Sequence, residues 1–409
     1  MARIAFAWEM GANYGHLSGF APVAKELLER GHEIVAVLQN PHDARHFFDP
    51  RIAILQAPVV RKPPAKDRPQ QVTFADLIKP LGYDDPVELA TLIRVWRSTL
   101  ELVRPALVLY DAAPSAQLAS RGLGFGKVTM GSAFAIPPRT VPLPLLFKHL
   151  NVPFPELEKR EGAVLKVVNA ALGELGLGHV EALRDILEAD LDLLRGYKEL
   201  DHYGSRTSGE WFGAGYSLDS GVEVDWPPGD GAKIFMYLRP PVRSEALLKQ
   251  LAPLGYRIIA VMPRLVGQGF VGNLPSNIRL SKDPARLRSI VQTADLAVCH
   301  SAVGTGAAFL QAGVPILNIP TQSEQAMIAA RVEEQGFGLS VRDTATTDYR
   351  EPVKRLLTDP SFRERVRAFA NRYRETPEAR TTAVCDRIER FLTESRAGSA
   401  SAPSPAGAE

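Results

Sequence analysis

An apolar run that gives way to a glycine-bearing turn, then to a helical pattern, then to a second apolar run leaves a chain few ways to fold. This sequence opens with that succession. Arg3 to Trp8 reads as a buried strand, and Gly11, Gly15 and His16 fall in the turn after it. Phe20, Val23, Ala24, Leu27 and Leu28 then recur at helical spacing as far as Gly31, a residue type that commonly stands just past a helix. Glu33 to Leu38 is the next strand. Such a strand–helix–strand unit makes a right-handed parallel crossover. The pattern recurs with a helix over Val87 to Val103, a strand over Ala106 to Tyr110 that ends at Asp111, and a further helix and strand reaching Thr129.

A length of 409 residues is too great for one ordinary core and predicts two α/β domains. The reading places a Rossmann-like domain at 1–218, with an insertion at 137–200 made of a Pro-rich stretch and two helical segments near 156–173 and 179–196. Residues 219–232, rich in Gly, Asp and Pro, read as a linker. A second α/β set fills 233–395, with strands at Lys233 to Leu238, Arg257 to Met262, Leu296 to Cys299 and Pro315 to Ile319. It closes with helical stretches near 349–357 and 361–395. The tail, 396–409, is small and polar and is expected to be disordered.

Composition removes several classes of function. The net charge of +2 argues against a nucleic-acid surface. Two distant cysteines, Cys299 and Cys385, make neither a disulfide framework nor a metal cluster, which fits a reducing cytoplasm. The first residues lack the pattern of a signal peptide, and no stretch approaches the roughly 18 apolar residues of a spanning helix. Asp190-Leu191-Asp192 could suggest a metal site, but Leu187, Leu191 and Leu194 place it on an amphipathic helix. The expectation is a cytoplasmic protein with no metal, no cofactor and no transmembrane segment.

The densest stretch runs from Ala294-Asp295-Leu296-Ala297-Val298-Cys299-His300-Ser301-Ala302-Val303-Gly304-Thr305-Gly306 through Gly313-Val314-Pro315 to Pro320-Thr321-Gln322-Ser323-Glu324-Gln325. A strand that ends in a Gly-bearing turn before a helix aims backbone N–H groups and a positive dipole end at an anion. Gly304 and Gly306 would let the backbone approach a pyrophosphate, with Thr305 and His300 adding side-chain donors. The stretch resembles the donor-binding signature of the family 1 GT-B glycosyltransferases, the macrolide and UDP-sugar type. The resemblance implies two Rossmann-like domains with parallel sheets facing across a cleft. The N-terminal one would bind the acceptor and the C-terminal one the nucleotide sugar, and the last helix would return to the N-terminal domain. It also implies that Glu324 and Gln325 hold the hydroxyls of the donor sugar, and that His300, Ser301, Val303, Gly304 and Thr305 belong to the donor site.

His16 follows the first strand, and Asp111 ends the fourth. An acceptor hydroxyl is a poor nucleophile and needs a base as it attacks. Neutral imidazole suits that task, and a carboxylate can hold its tautomer. In the family, the matching His and Asp carry these roles. The function expected is inverting transfer of a hexose from UDP or dTDP to a hydroxyl of a mostly apolar small-molecule or lipid acceptor. Phe134 and Leu146, with Leu143, Leu145 and Phe147, would offer the acceptor apolar surface, and the protein would be a monomer or homodimer. The chain departs from the family pattern in three places. Ser301-Ala302 stands where two glycines are usual. The first strand of the second half runs into Leu238-Arg239-Pro240-Pro241, where Arg239 could meet the diphosphate. Leu280-Ser281-Lys282-Asp283-Pro284 replaces the usual nucleobase-contacting segment. These departures keep open a non-catalytic GT-B auxiliary or nucleotide-binding protein. A GT-B sugar-nucleotide epimerase also stays open.

Overall fold

The computed structural model describes residues 1–11, 15–42, 44–60, 71–147, 149–204, 206–263, 274–300 and 303–400. The chain divides into two compact units. Residues 1–195 and 206–212, with the chain from Glu378 onward, form the first, and residues 196–205 and 213–377 form the second. Both are Rossmann-like parallel α/β units, as the sequence predicts.

The first unit follows the predicted succession. It contains β1 (Arg3–Trp8), α1 (Gly15–Glu29), β2 (Glu33–Leu38), β3 (Ala53–Gln56), α2 (Phe74–Ile78), α3 (Pro86–Val103), β4 (Leu107–Asp111), α4 (Pro114–Ala119), β5 (Gly126–Gly131), α5 (Phe154–Glu174), β6 (Leu191–Leu194) and β7 (Glu210–Trp211). Its strands lie in the order β3-β2-β1-β4-β5-β6-β7, all parallel. Alternation along β1 feeds both faces of this sheet. Ala5 and Ala7 pack with α3 residues such as Trp96, while Ile4, Phe6 and Trp8 pack with Phe20 and Leu27 of α1. Helix α3 starts where its sequence dictates, with Asp85 accepting from the backbone N–H groups of Val87 and Glu88 and Pro86 at the first position.

The second unit holds β8 (Lys233–Tyr237), α6 (Ser244–Leu251), β9 (Arg257–Val261), β10 (Ile278–Ser281), α7 (Arg288–Thr293), β11 (Leu296–Cys299), α8 (Thr305–Gln311), β12 (Ile316–Asn318), α9 (Ser323–Glu334), β13 (Gly338–Ser340), α10 (Arg350–Thr358) and α11 (Pro360–Arg372). Its order, β10-β9-β8-β11-β12-β13, is that of a Rossmann sheet. In both units the strand order reverses beside the first strand, between β1 and β4 and between β8 and β11. Open α/β sheets bind ligands at that point, outside the carboxyl ends of the strands.

Three expectations are corrected. Residues 179–196 are not a helix: a short 3-10 turn (Leu183–Leu187) leads into β6, which pairs with β5. Asp190-Leu191-Asp192 therefore lies at a strand. Asp190 accepts from the Lys127 N–H at 2.8 Å, and Asp192 accepts from Thr129 Oγ1 and from both terminal guanidinium nitrogens of Arg139. The stretch 361–395 is broken: α11 stops at Arg372 and α12 (Pro377–Ala400) begins on a proline, which lacks the N–H a continuing helix would use. Helix α12 also runs past the expected start of the disordered tail, whose residues 401–409 lie outside those described.

Helix α12 groups with the first unit, where the family resemblance places the last helix. Val384, Cys385, Ile388 and Leu392 are buried in the core that also holds Leu17, Phe20 and Leu27. Phe391 lies where a side chain on Gly126 would stand. Arg30 reaches Asp386 and Glu389 at 2.7 Å, and His32 pairs with Glu389 at 2.9 Å. Ile388→Ala is expected to cost about 2–5 kcal/mol in urea unfolding, the usual range for emptying a buried aliphatic site. Leu102→Ala, at a position 82% exposed, should stay within about 0.5 kcal/mol. Equal effects would place α12 outside the core.

Candidate active site

The parallel pairing of β1 with β4 sets Trp8 beside Asp111. Helix α1 returns over that edge, and His16 Nδ1 meets Asp111 Oδ2 at 2.8 Å. The two residues stand far apart in sequence, and the strand-order reversal brings them together. Asp111 is buried, and about a fifth of the His16 side chain is exposed. The Trp8 ring stacks on the imidazole at 5.1 Å, and its own N–H donates to the Met10 carbonyl. A carboxylate on Nδ1 favours the tautomer that carries the proton there and leaves Nε2 as the basic nitrogen.

Two glycines that the sequence reading did not single out for this purpose shape the pair. A Cβ on Gly131, at the end of β5, would come within 2.7 Å of Asp111 Oδ1. A Cβ on Gly11, whose φ is +94°, would stand 2.5 Å from His16 Nε2 and 3.4 Å from both flanking ring carbons. These distances put that point in front of Nε2, on its outer side, rather than over the ring. Only glycine, at both places, keeps a methyl group out of the pair. The signal in the sequence was a glycine at a strand end and another in the turn after β1.

A buried polar chain joins the residues that follow β1 and β4. Glu9 accepts from the Ser115 N–H at 2.9 Å and from Ser115 Oγ at 2.5 Å, and Tyr83 Oη meets Ser115 Oγ at 3.1 Å. Burial pushes the Glu9 carboxyl up to about 7, against the opposing pull of the Ser115 hydrogen bonds. Glu161 of α5 accepts from the Leu143 N–H at 2.6 Å, and burial raises it to about 7 as well.

The acceptor-side expectation is corrected for two residues. Leu143 and Leu146 point inward: Leu143 packs in the core against α5, and Leu146 is buried with its N–H bound to the Val72 carbonyl. Phe134, Leu145 and Phe147 are half-buried and keep some apolar surface.

In the second unit the predicted donor residues gather at the carboxyl ends of β8, β11 and β12. Gly304 caps α8 and Thr305 begins it, with Val303, Gly304 and Thr305 all half-buried. Ser301 lies outside the described residues. His300 is buried beside Arg239, whose N–H donates to His300 Nε2 at 2.6 Å, while His300 Nδ1 meets the Ile319 carbonyl at 3.1 Å. The Arg239 guanidinium lies over the Tyr237 ring at 5.4 Å. Tyr237 was not among the predicted residues. Glu324 and Gln325 open α9, and Gln325 Oε1 takes the N–H and Oγ1 of Thr321, which leaves its amide nitrogen directed elsewhere. Burial lowers the His300 pKa.

Comparison with known proteins finds similarity at the level of sequence and of fold. Residues 245–389 match the family model for the erythromycin biosynthesis protein CIII-like C-terminal domain. The NDP-glycosyltransferase YjiC of Bacillus licheniformis is 28% identical over 139 residues, 34% of this chain and 34% of that protein. The matched region thus spans about a third of that relative's length. Among solved structures, the glycotransferase of kitacinnamycin superposes with a TM-score of 0.72 at 19% identity, covering 95% of this chain and 98% of that one. The glycosyltransferase VinC, solved in complex with dTDP, gives 0.65 at 16% identity over 97% and 99% of the two chains. Among the described residues, no helix is long and apolar enough to cross a membrane.

Glu9 and Glu161 tie stability to pH. Each carboxyl keeps its proton in the folded chain up to about pH 7 and loses it near 4.5 when unfolded. The folded state therefore binds more protons between those limits, and stability falls as pH rises through them. The melting temperature is expected to drop between pH 5 and pH 8, and Glu9→Gln and Glu161→Gln should each flatten that drop. A steeper drop in either variant would contradict the assignment.

Proposed function

We propose that this chain, which has the GT-B fold and carries the erythromycin CIII-like C-terminal domain over residues 245–389, is an inverting glycosyltransferase. It moves a hexose from a nucleoside diphosphate, UDP or dTDP, to a hydroxyl of a mostly apolar acceptor. The observation that carries the reading is the 2.8 Å bond between His16 and Asp111 where the first sheet reverses its strand order. It is an oriented imidazole of the kind that takes a proton from a weak nucleophile.

The acceptor oxygen attacks the anomeric carbon as its proton passes to His16 Nε2, and Asp111 stabilises the imidazolium that forms. The bond from the anomeric carbon to the diphosphate oxygen breaks, and its electron pair leaves with the diphosphate. A single displacement inverts the anomeric centre. The negative charge that develops is met by the start of α8 at Gly304 and Thr305 and by the Arg239 guanidinium. Glu324 and Gln325 orient the sugar. The relative solved with dTDP supports a dTDP- or UDP-linked donor, and the half-buried Phe134, Leu145 and Phe147 support an apolar acceptor. With a helix terminus and a guanidinium at the diphosphate, the reaction proceeds without a divalent cation.

His16→Ala should lower single-turnover transfer by roughly 10²–10⁴-fold, the usual worth of a positioned base. Asp111→Asn should resemble it because an amide can leave the ring in the wrong tautomer. Gly11→Ala should also lose transfer, since the added methyl would stand 2.5 Å from Nε2. All three should bind dTDP or UDP with unchanged calorimetric affinity. A His16→Ala variant that transfers at the wild-type rate overturns the assignment. Activity should survive EDTA, and loss that Mg²⁺ or Mn²⁺ restores would show a metal requirement.

A further inference from the structure

His300 is placed to be read as a phosphate donor, yet both of its ring nitrogens are engaged within the protein. Nε2 takes the Arg239 backbone N–H at 2.6 Å. A peptide N–H can only donate, so Nε2 must present its lone pair. Nδ1 then carries the proton and donates it to the Ile319 carbonyl at 3.1 Å. One proton on the ring satisfies both bonds, and a second would set N–H against N–H. Burial, with the residue 6% exposed, disfavours the charged form in the same direction. Turning Nε2 toward a phosphate would break both bonds in a buried site and strand two backbone groups.

The three partners come from three strand ends: Arg239 follows β8, His300 follows β11 and Ile319 follows β12. The ring thus braces the edge of the second sheet across its strand-order reversal. Arg239 is held twice, by its backbone at His300 and by its guanidinium over Tyr237. A long, rotamer-rich side chain fixed at both ends loses less freedom when it meets an anion.

We propose that His300 is a positioning residue: a neutral brace that fixes Arg239 for the donor's diphosphate and does not itself donate to phosphate. This rests on the donor site assigned to the second unit. The test is ¹⁵N NMR of histidine-labelled full-length protein, with the His300 signals identified by their loss in His300→Ala. Nδ1 should be protonated and Nε2 unprotonated without ligand, and saturating dTDP should leave both unchanged. A protonated Nε2 in either state overturns the proposal. Calorimetry supplies the second arm. His300→Ala and Arg239→Ala should each weaken dTDP binding by about 10- to 100-fold, and the double variant should be no weaker than the worse single one, because the two act as a unit. Multiplying losses would show that His300 reaches the nucleotide independently and would also overturn it. Failure of both dTDP and UDP to bind the wild-type protein removes the donor site itself, a result distinct from a wrong tautomer.

Discussion

Parallel pairing between the first and fourth strands of each sheet is the constraint on which the candidate sites depend. A parallel ladder sends every carboxyl end to the same edge. The first strand must then hand the chain to opposite sides of the sheet through successive crossovers. In the first unit this puts Trp8 level with Asp111, so that His16, one turn further on, lands against a carboxylate. In the second it puts Tyr237 level with Cys299, so that Arg239 and His300 meet. A shift of one residue in either register would carry these side chains away from one another.

The two units use that geometry differently. The first offers a partly exposed imidazole whose inner nitrogen is fixed and whose outer nitrogen is framed by Gly11. The second buries its imidazole and presents a guanidinium instead. The contrast follows from partners. A carboxylate on one nitrogen leaves the other basic, whereas a carbonyl on one nitrogen and a peptide N–H on the other consume the ring. Equivalent places in two similar sheets thus hold one imidazole against a carboxylate and the other between a carbonyl and a peptide N–H.

Much of this was legible from residue order. Strands β1, β2 and β11 have the predicted limits, because short apolar runs bounded by turn residues leave little choice. The His16–Asp111 pair was legible as two strand-end residues in a known topology. Leu187, Leu191 and Leu194 were misread because their spacing suits a helix, while the pairing of β6 with β5 is decided by a neighbour distant in sequence. Leu143 and Leu146 were misread as surface because a Pro-rich stretch does not reveal which of its leucines is pinned by Glu161 or Val72. The contacts of His300 were hidden for the same reason: its partners lie at two other strands' ends, and no local pattern records them.

The return of α12 to the first unit bears on how the chain is made. Strands β1 to β7 precede α12 in the chain and leave the ribosome before it, so the part of their sheet's face that receives Val384, Cys385, Ile388 and Leu392, beside α1, stays uncovered until α12 has emerged. The second unit, although translated later, has all its strands available sooner relative to its own start. The earlier sheet is therefore sealed only after the strands of the second unit have been made, and during that interval the part of its apolar face that α12 covers is open to chaperones or to other nascent chains.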